Sequence, residues 1–176
     1  MLNNYRYKII RTMRKPNQVT EMKLVVNKII PFNNYYLICF FRNIYIKLKS
    51  YKRWLKNEEK GENQKSKNHE MTHVKQAIKC HNSWICYYLH YVWLWMKNLP
   101  LINGFKMPYK FVEFELEAYA HENDDNYNVI HKDGTDEWKM FKKLTLKQKK
   151  QFYKQYKESK LTFSNFINEV IIPSMK

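Results

Sequence analysis

The chain has 176 residues, with 44% hydrophobic and 16% aromatic content and a formal charge of +16. That length holds one domain with a modest core, and the aromatic content argues against disorder outside the ends. Such a charge raises nucleic acid or an anionic membrane surface as partners, but the lysines are spread along the chain and no recognised nucleic-acid motif accompanies them.

MLNNYRYKIIRTMRKPNQ is basic and lacks an apolar core of signal-peptide length, so residues 1–22 read as a basic N-terminal extension and the expected location is cytoplasmic, with membrane association as the alternative. KLVVNKIIPF, from Lys23 to Phe32, is rich in β-branched residues and predicts a strand that Pro31 stops, with a turn at Asn33-Asn34. YYLICFF (Tyr35 to Phe41) and NIYIKLK (Asn43 to Lys49) predict two more. In the latter, Ile44, Ile46 and Leu48 alternate with Tyr45, Lys47 and Lys49, which suggests an edge strand with one wet face. Tyr51 to Ser66 is polar and reads as a solvated loop. Helices are expected over 67–80, over 83–98 up to Pro100, and over 111–122. Leu99 to Pro108 is a connector. In the tail, lysines alternate with aromatics from Leu146 to Tyr156, the pattern of a solvated amphipathic helix, with phosphate contact by Lys147 to Lys157 as the other reading. Thr162 is placed to cap a last short helix carrying Phe163, Phe166, Ile167 and Val170. Cys39, Cys80 and Cys86 contain no CxxC pair and read as apolar residues of a reducing compartment.

The strongest motif is HEMTH. His69 and His73, four apart on a helix, point the same way, so two ring nitrogens can bind one Zn²⁺. Glu70 projects to a neighbouring side and suits a general base. Six histidines and twelve glutamates give roughly 0.01 chance occurrences of HExxH, a rarity that still needs a third ligand before it means much. Gln76 and Lys79 stand where a metzincin carries Gly and His, which excludes that class. A glutamate from a later helix remains, in FELEAYAHE. There Glu115 shares a face with Tyr119, and Glu117 is the rival ligand on another side.

HEMTHVKQ followed by FELEAY resembles the gluzincin arrangement of HExxH and a later E-x-x-A-D helix. More narrowly, from about Lys23 to Tyr127 the chain is similar to small minigluzincin-type proteins of bacteria and phages. These share a strand ending I-I-P-F, N-H-E-x-x-H-x-x-Q, an aromatic helix and F-E-x-E-A-Y-x-x-E. The resemblance makes Glu115 the third ligand, and Tyr119 departs from the Asp of the wider pattern. It implies an α+β gluzincin-like domain over 23–130: a short three-stranded sheet over the HExxH helix, then an aromatic helix and a glutamate-bearing helix. An edge strand would bind substrate in extended form, and Asn43 to Lys49 is the candidate. Residues 131–176 would form a helical C-terminal extension.

The function so implied is a zinc metallopeptidase acting on a peptide or protein, with His69, His73 and Glu115 as Zn²⁺ ligands and Glu70 taking a proton from the attacking water. The alternatives are a catalytically silent zinc-binding protein and a basic module on nucleic acid or a membrane surface. Gln76 either hydrogen-bonds the site or lies on the helix surface, and Asn68 is a further candidate for orienting it. His81, His90 and His121 read as core or surface residues. An oxyanion-stabilising group is expected, with Tyr119 and Tyr127 nearest in sequence. Trp84, Tyr87, Tyr88, Tyr91, Leu94 and Trp95 form a stripe that reads as core packing, with a lipid-facing surface as the other reading.

Overall fold

The structure is a computed structural model that describes residues 15–19, 22–28, 37–41, 43–101 and 109–176. Its architecture is α+β. Strands β1 (Lys23–Asn27), β2 (Leu37–Phe40) and β3 (Asn43–Lys47) form one small mixed sheet in the order β1-β3-β2. β1 runs parallel to β3, pairing Val25 with Tyr45, and β2 runs antiparallel, pairing Ile38 with Tyr45. Pro31, Phe32 and the Asn33-Asn34 turn lie outside the described residues.

The expectation that Asn43 to Lys49 forms an edge strand is corrected: β3 is central, and β2 is an edge. Alternation reports which face of a strand is wet, with Ile44 and Ile46 buried here, but it is silent on how many neighbours a strand has. The strand also ends at Lys47, and Leu48 starts a helix. The predicted loop over 51–66 is likewise corrected. Helix α1 (Leu48–Glu59) occupies most of it. Its lysines, arginine and glutamates are good helix formers, and Trp54 alone supplies the deeply buried anchor. Asn63 closes the turn after α1, its amide donating to the Trp54 carbonyl (2.9 Å) and to Glu58 (2.8 Å).

Helix α2 (Gln64–Lys79) carries HEMTH and buries Asn68, His69, Thr72, His73, Val74, Gln76 and Ala77. It stops at two residues in the left-handed region, His81 (φ 57) and Asn82 (φ 51). Helix α3 (Trp84–Lys97) follows, with the Ser83 hydroxyl accepting from the Cys86 amide. A short 3₁₀ turn, Leu99–Leu101, starts the connector. Helix α4 (Glu113–His121) lies against α2, with six of its first seven positions apolar or acidic and fully enclosed. Short α5 (Tyr127–Ile130), α6 (Leu146–Glu158) and α7 (Phe163–Phe166) complete the helices used below. Thr162 caps α7, accepting from the Asn165 amide, and Thr145 forms a reciprocal capping box with Gln148 at α6.

Two buried clusters hold these elements. One gathers Val74, Ala77, Trp84, Tyr87, Leu94, Phe114 and Trp138 between α2, α3 and α4. The other joins Phe111 and Leu116 to Phe141, Phe152, Phe163, Phe166, Ile167 and Ile171, so residues beyond 131 supply much of the packing behind α4. Lys149 of α6 is buried there, donating to Glu113 (2.9 Å), to Asn98 (2.9 Å) and to the Phe111 carbonyl (3.1 Å). Among the described residues, no helix is long and apolar enough to cross a membrane.

Candidate metal centre

α2 and α4 bring His69, His73 and Glu115 together. His69 Nε2 lies 3.3 Å from Glu115 Oε2, and His73 Nε2 lies 3.3 Å from Glu115 Oε1. All three groups are buried, and a ligand atom from each falls within 4.8 Å of the others. The two imidazole rings sit edge to face, 5.0 Å apart, as one helical turn dictates. Tyr91 of α3 donates to Glu115 Oε1 (2.8 Å), which fixes the carboxylate. Glu115 Oε2 is buried without a hydrogen-bond partner. A buried carboxylate with one orphaned oxygen beside His69 Nε2 and the other beside His73 Nε2 is a poor arrangement unless a cation shares it. The donor set, two nitrogens and a carboxylate, fits Zn²⁺ with a position left for water or substrate.

The tautomer of His73 is dictated by its neighbours. Gln76 Nε2 donates to the Phe114 carbonyl (2.9 Å) and to Glu117 Oε2 (2.8 Å), so its oxygen faces His73 Nδ1 at 2.9 Å. That nitrogen must carry the proton, and the Nε2 lone pair is left for a metal. Glu117 is in turn held by Tyr127 Oη (2.7 Å), by the Thr135 hydroxyl and by the Trp138 amide (3.2 Å). The rival ligand therefore belongs to the supporting layer, turned away from the histidine pair, and Gln76 hydrogen-bonds the site.

Around His69 the support differs. Tyr119 packs its ring 4.5 Å from the imidazole. Glu122 Oε2 approaches Nδ1 at 3.5 Å, an ion-pair distance without a formed hydrogen bond, and is itself paired with Lys65 (2.8 Å). Asn68 donates to the Glu122 carbonyl (3.3 Å) and to Asp125 (2.8 Å), which ties α2 to the end of α4. Glu122 and Tyr91 are the contributors that the sequence reading passed over. Glu122 had a signal, since it lies two turns after Glu115 on one helix face. Tyr91 had none that separated it from the other aromatics of its stripe.

Electrostatics follow from this enclosure. Burial alone would depress His69, but Glu115 and Glu122 outweigh it and raise the imidazole to about 10. Burial likewise opposes charge on His73, and Glu115 raises it overall. Burial would raise Glu115, and the two histidines hold it well below the carboxylate range instead. The buried Glu115 carboxylate thus favours positive charge on the imidazoles facing it. Glu70 is pushed up, chiefly by burial, against the pull of both histidines.

Glu70, His73 and Glu115 form one wall of a cavity of about 360 Å³ between β2 and α3. Its other walls include Leu37 and Ile38 of β2 and an aromatic group of Trp84, Tyr87, Trp95 and Tyr109. No lysine or arginine lines it among the described residues. Cys39 of β2 also lines it, and the proximity of Glu70 adds to burial in raising its thiol pKa. Tyr88 accepts a hydrogen bond from the Phe41 amide (2.8 Å), where Phe41 turns the chain with φ 56, so the end of β2 is clasped to α3.

The remaining candidates are placed elsewhere. Tyr127 is committed to Glu117 and Thr135, and so lies in the layer behind Gln76. His90 packs against Phe114 and Trp138. His121 stacks on Tyr127 at 3.7 Å and meets Glu137 at 3.1 Å, while His131 meets the same carboxylate at 3.3 Å. His81 sits in the turn between α2 and α3. Compared with protein-family models, curated proteins and solved structures, the chain matches none of them.

Proposed function

We propose that the protein is a zinc-dependent peptidase of gluzincin type, with His69, His73 and Glu115 as metal ligands and Glu70 as the proton carrier. The observation that carries this reading is the buried His₂Glu convergence, with an unpartnered Glu115 oxygen at its centre and Glu70 on the adjoining cavity wall. A zinc ion in such a set supplies Lewis acidity, polarising a scissile carbonyl and lowering the pKa of an attacking water.

The chain's own residues do the rest. Gln76 and Tyr91 hold His73 and Glu115 in fixed orientations. Glu70 accepts the proton of the attacking water and returns it to the departing amine. Among the described residues β2 has no neighbouring strand on its outer side, and there it offers main-chain groups to an extended peptide, whose alternate side chains then face α3. A bulky apolar residue beside the scissile bond fits the aromatic cavity there, near the lower end of the roughly 300–1,000 Å³ typical of ligand pockets.

The test is cleavage of peptides carrying Phe or Asp beside a candidate bond, alongside metal analysis of the same samples. The native protein should hold about one zinc and favour the Phe peptide. Glu70→Gln should keep the metal and lose about 10²–10⁴-fold in rate, the usual contribution of a general acid–base group. Unchanged hydrolysis by metal-loaded Glu70→Gln rejects the assigned mechanism. Zinc binding with no cleavage of any peptide would instead leave a catalytically silent zinc protein.

A further inference from the structure

Helix α3 has an outer face that its packing leaves exposed. Trp84, Tyr87 and Leu94 point into the core, whereas Ile85 is 70% exposed, Leu89 69%, Val92 50%, Trp93 54% and Met96 43%. These positions recur at helical spacing and form one continuous stripe. Within the helix, the only exposed residue that is not apolar is Lys97. Exposed helix positions in a water-soluble domain are ordinarily polar, so a stripe of five large apolar side chains calls for a covering. Phe40, 39% exposed and stacked on Tyr88 at 5.6 Å, extends the patch onto the edge of the sheet.

Charge beside the stripe indicates what covers it. The Lys97 ammonium lies over the Trp93 ring at 5.2 Å. The Lys142 ammonium lies over the Trp138 ring at 4.5 Å, and that ring packs edge-on against His90 of α3 at 4.8 Å, one residue from Leu89. Lys139 pairs with Asp136, and among the described residues no salt bridge reaches Lys97 or Lys142. α3 itself contains no carboxylate. An apolar face rimmed by lysines and bearing a Trp is the composition of a helix lying in a bilayer interface. Its 14 residues span about 21 Å, short of the roughly 30 Å hydrocarbon core, and its opposite face is occupied by the protein's own core. Such a helix is too short to cross a bilayer and would meet one along its surface.

We propose that the outer face of α3 docks the protein on an anionic bilayer, with Ile85, Leu89, Trp93 and Met96 entering the interface and Lys97 and Lys142 meeting lipid headgroups. The geometry has a further meaning for the cavity, because Val92 belongs both to the stripe and to the cavity lining. A bilayer on that face therefore lies beside the cavity.

Flotation of the full-length, zinc-loaded protein with vesicles tests this. Vesicles of phosphatidylcholine alone are compared with vesicles that also contain phosphatidylglycerol. The native protein should float with the anionic vesicles. A Leu89→Gln/Trp93→Gln variant, which leaves the charge unaltered, should lose about tenfold or more in bound fraction. Lys97→Gln/Lys142→Gln should reduce the preference for anionic lipid while zinc content and unfolding temperature stay unchanged. Equal binding by Leu89→Gln/Trp93→Gln and the native protein would reduce the attraction to bulk charge and overturn the proposal. So would absence of native binding to either vesicle. A dimer that sedimentation detects in the native protein and finds dissolved in Leu89→Gln/Trp93→Gln would also overturn it, by making a second copy the covering.

Discussion

Gln76 has one oxygen and one nitrogen to place, and both are committed: the nitrogen to Phe114 and Glu117, the oxygen to His73. Replacing it by Leu keeps the volume and deletes the partner of His73 Nδ1. Zinc affinity should fall about 10–100-fold, the usual effect of losing a hydrogen bond to a ligating histidine. Competition with a chromogenic chelator measures it, and an undiminished affinity would strip Gln76 of its orienting role. The two histidines and Glu70 were legible in the sequence because a helix fixes i and i+4 on one face whatever surrounds it. The partnership of Tyr91 with Glu115 was not, since it depends on how α3 lies against α4, and local spacing carries no information about that angle. The fate of Gln76 stayed open for the same reason.

Elements show the same division. Runs of β-branched residues located the start of β1, and with stop signals the next two strands, α3 and α4 within a few positions, and Thr162 was read as a cap directly. The polarity of α1 concealed a helix with one deep anchor, and the central position of β3 follows from a parallel pairing with β1 that no local pattern encodes. At this scale Gly134 makes a sharp prediction. Its φ is +97, and a Cβ there would lie 2.9 Å from the Lys75 carbonyl oxygen and 3.0 Å from the Lys79 nitrogen, both backbone atoms of α2. Gly134→Ala should cost about 1–3 kcal/mol, as left-handed backbone does for other residues. Urea unfolding measures this, and a loss below the lower bound would mean that the loop after α5 can move away from α2. Thr145→Ala, which removes the capping box of α6, should cost about 1 kcal/mol in the same assay.

For the molecule as a whole, two terms dominate the expected response to perturbation. Glu113 and Lys149 are a buried ion pair linking α4 to α6. Glu113→Gln leaves the ammonium with neutral partners only and should destabilise by about 3–5 kcal/mol, whereas Glu113→Leu combined with Lys149→Met should cost far less. If single and double variants unfold alike, the pair is not the cause. The proposed zinc would be the second term. At free zinc about 1,000-fold above its dissociation constant, the folded state gains about 4 kcal/mol. Chelation should therefore lower the unfolding temperature of the native protein and leave that of His69→Ala unmoved, as calorimetry would show.

The grip on Glu117 has a consequence for where this chain can be cut. Thr135 and Trp138 hold that carboxylate from beyond residue 130, and through Gln76 they set the direction of an imidazole on α2. A nick in the strap around Gly134 would spare every ligand and the whole sheet, yet let the inner histidine swing. Limited proteolysis there would weaken the hold of the proposed site on a metal by no more than the roughly 10–100-fold expected for Gln76→Leu.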